Sequence, residues 1–276
     1  MRKMHSEVDK MLEIKNVYKT FNKGTVNEKR ALNGIDLVLN DGDFCTVIGG
    51  NGAGKSTMLN AIAGVWPVDS GAILIDGVDV SALPEHKRAP YLGRVFQDPM
   101  TGTVADMEII ENLAIAARRG KKRGLSWGVK KGEKEKYQKL LAEFDLGLEN
   151  RMTTKVGLLS GGQRQAITLL MATIQKPKLL LLDEHTAALD PKTAAKVLEL
   201  SDKIIAENNL TALMVTHNMR DAITHGNRLI MLSDGKVILN ISGEEKKNLT
   251  VDELLKKFEK ASGSKLENDR MLLSKD

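Results

Sequence analysis

One stretch of the chain combines residue types and spacing that suit phosphate binding. Residues 49–57 read Gly-Gly-Asn-Gly-Ala-Gly-Lys-Ser-Thr and match the pattern G-x-x-x-x-G-K-[ST]. The glycines let backbone N–H groups approach phosphate oxygens, Lys55 adds a positive charge, and Ser56 offers a hydroxyl to Mg²⁺. We predict a phosphate-binding loop here, and a chance glycine-rich turn is the alternative. The loop residues are Gly49, Gly50, Asn51, Gly52, Ala53, Gly54, Lys55, Ser56 and Thr57.

Two adjacent acids form a second candidate group. Asp183 and Glu184 follow the apolar run 179–182, which is typical of a parallel strand covered on both faces. Adjacent carboxylates repel each other and lose hydration unless a cation or a water network uses them. We predict that Asp183 helps to hold Mg²⁺ and that Glu184 orients or deprotonates an attacking water. A solvated strand end is the alternative.

A second anion-binding segment is predicted where a helix begins at Ser160. Serine is a natural N-cap, and apolar residues then recur at helical spacing until Pro177 stops the pattern. Gly161 and Gly162 follow the cap, so an anion could approach the positive end of the helix closely. A purely structural cap is the alternative.

His217 and Gln97 are weaker candidates. His217 follows the apolar strand pattern 210–215, at a strand end where open α/β sheets place ligands, and we predict that it senses phosphate. Gln97 follows a short strand pattern that Pro99 ends, and alone it indicates little. Asp190 precedes Pro191, which predicts an N-cap and the first residue of a helix.

The elements that must position these residues can also be predicted. Residues 44–48 form a strand before the phosphate loop, and residues 58–63 form a helix after it that Gly64 ends. Alternating residues predict strands at 11–17 and 35–39, and Phe21 lies on the loop between them, where it could stack on a base or simply pack. Residues 100–176 are mostly helical. A capping box predicts a terminal helix near 250–258 that docks on the core.

Composition limits the protein class. With 276 residues and 42% hydrophobic content, the chain can bury the core of one large domain or two subdomains. No apolar run approaches the roughly 18 residues that cross a bilayer, so we expect a cytosolic chain. Cys45, in an apolar strand pattern, is predicted to be a small buried apolar residue. The net charge of +5 fits an anionic partner, and the basic run 118–131 is a solvated loop or a contact for lipid or nucleic acid.

The motifs together give residues 11–242 a resemblance to the nucleotide-binding subunit of ATP-binding-cassette transporters. Glu-His-Thr at 184–186 departs from the common pattern, in which proline stands at His185, and resembles a subgroup of tryptophan/tyrosine-type importers. The matching motifs are the phosphate loop, Gln97 as the glutamine loop, Leu159 to Gln163 as the signature, Leu179 to Glu184 as the second Walker motif, Ala188 to Asp190 as the D-loop, and Thr216 with His217 as the switch.

The resemblance implies an α/β fold with a P-loop NTPase (RecA-like) core, an N-terminal antiparallel β subdomain and an inserted α-helical subdomain. The core and β subdomain would occupy about 11–98 and 177–242, the helical signature subdomain about 99–176, and a C-terminal helix and tail 243–276.

The resemblance also implies a transport ATPase that uses ATP and Mg²⁺. Phe21 would stack on adenine, Gln97 would join the metal site, and a second copy in a head-to-tail homodimer would supply its signature. The catalytic set would be Glu184, His217, Lys55 and Gln97, the metal set Ser56, Gln97 and Asp183, and the signature and D-loop set Ser160, Gly161, Gly162, Gln163 and Asp190.

Partners implied by the resemblance are transmembrane permease subunits and an extracytoplasmic solute-binding protein. The chain would sit peripherally on the cytoplasmic face of the membrane and would import a solute, with aromatic amino acids as candidates. An exporter and an ATPase that acts on nucleic acid are the alternatives. A single phosphate loop and the lack of a long heptad stretch argue against nucleic acid.

Overall fold

The computed structural model describes residues 9–121, 128–130 and 132–262. The chain divides into two compact units, one running up to Arg88 and again from Asn209, the other covering Ala89–Asn208. The subdomain boundaries inferred from sequence stay a prediction. Within the described ranges, no helix is both long and apolar enough to cross a membrane.

The described residues form ten strands and nine α-helices. The strands are β1 (Lys10–Phe21), β2 (Lys29–Asn40), β3 (Phe44–Gly49), β4 (Ser70–Ile75), β5 (Val78–Asp79), β6 (Leu92–Val95), β7 (Leu179–Asp183), β8 (Thr211–Val215), β9 (Arg228–Ser233) and β10 (Lys236–Ser242). The helices are α1 (Lys55–Ala63), α2 (Glu85–Arg88), α3 (Ile109–Ala116), α4 (Glu133–Ala142), α5 (Gly161–Thr173), α6 (Pro191–Glu207), α7 (Met219–Thr224), α8 (Gly243–Lys247) and α9 (Val251–Ser262).

An antiparallel sheet in the first unit has the strand order β2-β1-β4-β5. Leu12 opposes Leu39 and Ile14 opposes Leu37, and all four side chains are buried. The predicted antiparallel layer is therefore confirmed. Its first strand is longer than the alternating pattern indicated, because pairing continues to Phe21, which opposes Lys29. The placement of Phe21 on a loop is wrong, since it is the last residue of β1.

A second set of strands in the first unit surrounds β3. This strand is parallel to both β8 and β9, and β10 closes the set as the antiparallel partner of β9. Every residue of β3 is buried, which fits its mostly apolar sequence, and the buried Thr46 hydroxyl donates to the Ala222 carbonyl at 2.8 Å. Cys45 is buried, as predicted, and burial raises the pKa of its thiol to about 12.

The C-terminal helix packs on the first unit as predicted. Thr250 and Glu253 form the capping box before α9, with the Thr250 N–H 2.9 Å from a Glu253 carboxylate oxygen. Leu254 and Phe258 belong to a buried apolar cluster that includes Met231. Helices α7 and α8 were not predicted, because they are too short to show a clear apolar period.

The second unit pairs two parallel strands with the longer helices. β6 lies beside β7, with Val95 opposite Leu182. Part of the predicted basic run makes internal contacts here: Arg118 pairs with Glu133 at 3.0 Å, and Arg119 donates to the Ala172 carbonyl at 3.0 Å. Lys121 donates to the Ala117 carbonyl at 3.3 Å, and the Lys130 N–H donates to Glu133 at 2.7 Å. The other basic and aromatic residues of that run, Lys122, Arg123, Trp127 and Lys131, lie outside the described residues.

Candidate functional site

The phosphate loop joins β3 directly to α1. Gly49 has φ 151°, and a Cβ atom at this position would lie 2.3 Å from the Leu232 carbonyl oxygen. Gly54 has φ 105°, and its Cβ would lie 2.5 Å from the Ala31 carbonyl oxygen. Neighbouring backbone therefore excludes a side chain at both positions, so Gly49 and Gly54 are sterically required.

Lys55 lies inside this loop. Its side chain is buried, and the ammonium donates to the carbonyl oxygens of Gly49 at 2.6 Å and Gly50 at 3.1 Å. Asn51, Gly52 and Ser56 are exposed on the loop and at the start of α1. The loop thus holds a positive charge against its own backbone and leaves a hydroxyl accessible, an arrangement suited to binding a polyphosphate.

His217 lies at the same edge of the strands as the phosphate loop. It follows β8, which runs parallel to β3, and the Thr216 N–H donates to the Val47 carbonyl at 3.1 Å. The next residue, Asn218, caps α7 by accepting N–H groups of Arg220 and Asp221 at 2.8 and 3.2 Å. The His217 side chain is exposed at this edge. The structure therefore brings His217 and the loop to one edge, as predicted.

Phe21 contacts an aromatic residue that sequence motifs did not indicate. Its ring makes an edge-to-face contact with Trp66, with ring centroids 4.9 Å apart and an interplanar angle of 81°. Lys19 Nζ is 5.4 Å from the Phe21 ring centroid. Asp69 accepts the Thr20 N–H at 2.7 Å and so anchors the end of β1. The position and contacts of Phe21 are thus fixed by the segment that follows α1.

The second unit brings the acids and Gln97 to one strand edge. Asp183 ends β7 and Glu184 follows it, while Gln97 comes two residues after the end of the parallel strand β6. Asp183 and Glu184 are half-buried and Gln97 is exposed. Glu184 has φ 46°, a left-handed conformation that is unusual for glutamate.

Arg94 was not identified from the sequence, although it contacts a predicted metal ligand. Its Nη2 lies 3.6 Å from Asp183 Oδ2, and both side chains are mostly buried. The guanidinium carbon also lies 4.5 Å from the centroid of the Phe96 ring. The positive charge of Arg94 therefore compensates the negative charge of Asp183, for which the sequence motifs indicated no positive neighbour.

His185, the residue that departs from the family pattern, has a structural contact. Its side chain is buried, with Nε2 3.1 Å from Ser201 Oγ. The Ser201 hydroxyl also lies 2.8 Å from the Val197 carbonyl oxygen, to which it donates. This contact connects the backbone directly after Glu184 to α6.

The signature segment caps α5 as predicted. Ser160 Oγ accepts the Gln163 N–H at 3.3 Å, and Gln163 Oε1 accepts the Ser160 N–H at 3.3 Å. Gly162 is buried, and a Cβ there would lie 2.1 Å from Thr193 Cγ2. Ser160 and Gly161 are exposed at the start of the helix.

Asp190 is also an N-cap, as predicted, and it accepts the Thr193 N–H at 3.1 Å to begin α6. Hydrogen bonds from Thr193 lower the pKa of the Asp190 carboxyl. The carboxylate is therefore charged at neutral pH and suits the positive end of the helix.

The predicted metal ligands have the chemistry that Mg²⁺ prefers. Ser56, Gln97 and Asp183 all offer oxygen atoms, and Mg²⁺ is usually held by one or two carboxylates together with substrate phosphates. Among the residues that the structure describes, no cluster of three or more His, Cys, Asp or Glu side chains could hold a metal.

Comparisons with known proteins agree with this chemistry. The family "ABC transporter" matches residues 32–187. The chain is 45% identical over 251 residues to the tyrosine transport ATP-binding protein of Clostridioides difficile strain R20291, which covers 91% of this chain and all of that protein. It is 33% identical to the spermidine/putrescine import ATP-binding protein PotA of Haemophilus influenzae over 85% of this chain and 59% of PotA, so it spans less than two thirds of that relative.

A solved structure confirms the fold. The chain matches a dimeric, post-hydrolysis ATP-binding cassette bound to ADP and Pi with a TM-score of 0.71 and 32% identity, over 84% of this chain and 98% of that one. The α/β cassette fold predicted from the motifs is thereby confirmed.

Proposed function

We propose that this chain, which belongs to the ABC transporter family, is the ATP-hydrolysing subunit of an importer whose solute is tyrosine or a related aromatic amino acid. The geometry of the phosphate loop carries the ATPase assignment, because Lys55 is held inside a loop in which Gly49 and Gly54 admit no side chain. The tyrosine transport relative supports the solute, because the similarity extends over all of that protein.

Each candidate residue has a separate role in ATP hydrolysis. Lys55 and the loop N–H groups bind the phosphates, and Phe21 stacks on adenine. Ser56, Gln97 and Asp183 would hold Mg²⁺, which neutralises charge on the phosphate oxygens. Glu184 orients the attacking water and accepts its proton, and His217 contacts the terminal phosphate.

The proposed assembly is a homodimer of this chain bound to membrane subunits. The cassette structure that this chain matches is a dimer, which supports a homodimer here. In a head-to-tail pair, Ser160, Gly161, Gly162, Gln163 and Asp190 of one copy would face the nucleotide of the other. Permease subunits in the membrane would carry the solute path, a binding protein outside would deliver the solute, and this chain would lie on the cytoplasmic face.

Transport by the complete complex tests the solute. The affinity-tagged chain is co-purified with its permease and reconstituted into proteoliposomes, together with a candidate solute-binding protein. Uptake of labelled tyrosine is then compared with uptake of methionine and spermidine. We expect ATP-dependent uptake of tyrosine alone, and no uptake with Lys55→Ala, which removes the charge from the phosphate loop. Uptake of spermidine or methionine instead of tyrosine would overturn the solute assignment.

A further inference from the structure

We propose that Arg94 is an internal counter-cation for Asp183 that competes with Mg²⁺ and so sets the Mg²⁺ concentration at which the chain binds nucleotide. The inference rests on the proposed function only in taking Asp183 as a magnesium ligand. Arg94 acts through Asp183 and is therefore a positioning residue.

Burial makes the ion pair between Arg94 and Asp183 effective. The Nη2 to Oδ2 distance is 3.6 Å, and the two side chains retain 13% and 15% of their exposure. Salt and water screen such a pair far less than an exposed one. Asp183 is followed by Glu184, and two adjacent carboxylates in a half-buried strand end favour a nearby cation.

The position of Arg94 is fixed by more than its charge. The guanidinium lies 4.5 Å from the Phe96 ring centroid, a cation–π distance. Gln165 of α5 donates through Nε2 to the Phe96 carbonyl at 3.2 Å, which ties the backbone beside Gln97 to the signature helix. The contact with Phe96 therefore gives the Arg94 guanidinium a second interaction that favours its position beside the carboxylate when a metal ion arrives.

The chemical consequence is competition for one carboxylate. A guanidinium beside Asp183 reduces the negative potential that attracts Mg²⁺ and repels the divalent cation directly. A substitution that removes the Arg94 charge but keeps most of the side-chain length should strengthen Mg²⁺ binding. A structural role alone would change the stability of the fold but not the Mg²⁺ requirement.

The test is a Mg²⁺ titration of nucleotide binding, followed with a fluorescent ATP analogue, on the full chain. Arg94→Gln should lower the half-saturating Mg²⁺ concentration about three- to tenfold, while binding of the analogue in EDTA stays unchanged. Arg94→Lys keeps the charge and should resemble the parent. Arg151→Gln, at an exposed position, is the matched control and should also resemble the parent.

The outcomes separate the inference from the proposed function. An unchanged or higher Mg²⁺ requirement in Arg94→Gln overturns the counter-cation role. If that variant does not fold, Arg94→Met keeps an apolar stem against Phe96 and gives the same test. Nucleotide binding by the parent that does not respond to Mg²⁺, or an Asp183→Asn variant with parental Mg²⁺ dependence, would instead contradict Asp183 as a magnesium ligand.

Discussion

Glu184 has a backbone conformation that is unusual for its residue type. A left-handed conformation costs a non-glycine residue roughly 1–2 kcal/mol, and Glu184 adopts it with φ 46° directly after β7. Strain of this kind collects at functional sites, where the surrounding structure holds it in place. The buried contact between His185 and Ser201 supplies such a hold one residue later.

Glu184→Gln isolates the chemistry of the carboxylate. Glutamine has the same shape and a similar backbone preference, so the folded chain should be as stable as the parent. We expect ATP hydrolysis to fall at least about 100-fold, because the general base is lost. ATP binding should persist and trap the dimer, which size-exclusion chromatography in ATP would detect.

Glu199→Gln is the control for that substitution, because Glu199 is an exposed residue on α6. Its hydrolysis rate should equal that of the parent. Equal rates in Glu184→Gln and the parent would remove Glu184 from the proposed role in activating water.

At the scale of elements, α5 and α6 meet where Gly162 faces Thr193. A Cβ on residue 162 would lie 2.1 Å from Thr193 Cγ2, and a β-branched side chain cannot swing that methyl group away. The glycine of the signature segment therefore allows two helices to approach, in addition to any contact with a nucleotide.

Gly162→Ala should destabilise the fold by about 1–3 kcal/mol through this overlap. Thr193→Ser removes Cγ2 and keeps the backbone N–H that donates to Asp190. The double variant Gly162→Ala/Thr193→Ser should therefore recover much of the stability that Gly162→Ala loses. Chemical denaturation of the two single variants and the double variant measures this coupling.

Gly161→Ala is the matched control, because its Cβ would meet only the flexible end of Leu189 at 3.2 Å. We expect it to change stability little. A Gly162→Ala protein as stable as the parent, or one that Thr193→Ser does not rescue, would show that the helices can separate at low cost.

Local features of these elements could be predicted from the sequence. The phosphate loop and the caps at Ser160 and Asp190 depend on residues within a few positions of each other, so the sequence alone is enough to recognise them. The pairing of Arg94 with Asp183 and the packing of Trp66 on Phe21 depend on strand neighbours and on the path of the chain. The end of β1 was missed for the same reason, because its pairing with β2 extends it to Phe21.

At the scale of the whole molecule, the predicted residues belong to two sets. Lys55 and His217 lie in the first unit, whereas Asp183, Glu184 and Ser160 lie in the second. Ser160 is exposed at the start of its helix, so a nucleotide held by another copy could reach it. Head-to-tail assembly therefore makes a specific prediction about which chains must carry intact residues.

Heterodimers purified through two different tags distinguish the two arrangements. One pair combines a Lys55→Ala chain with a Ser160→Arg chain, and the other combines a chain carrying both substitutions with a parent chain. If Ser160 serves the nucleotide of the partner, the first pair keeps one complete site and the second keeps none. ATP hydrolysis by the first pair only is the result that we expect. Hydrolysis by the second pair only would mean that Ser160 acts within its own chain, because the parent chain would then hold a complete site alone.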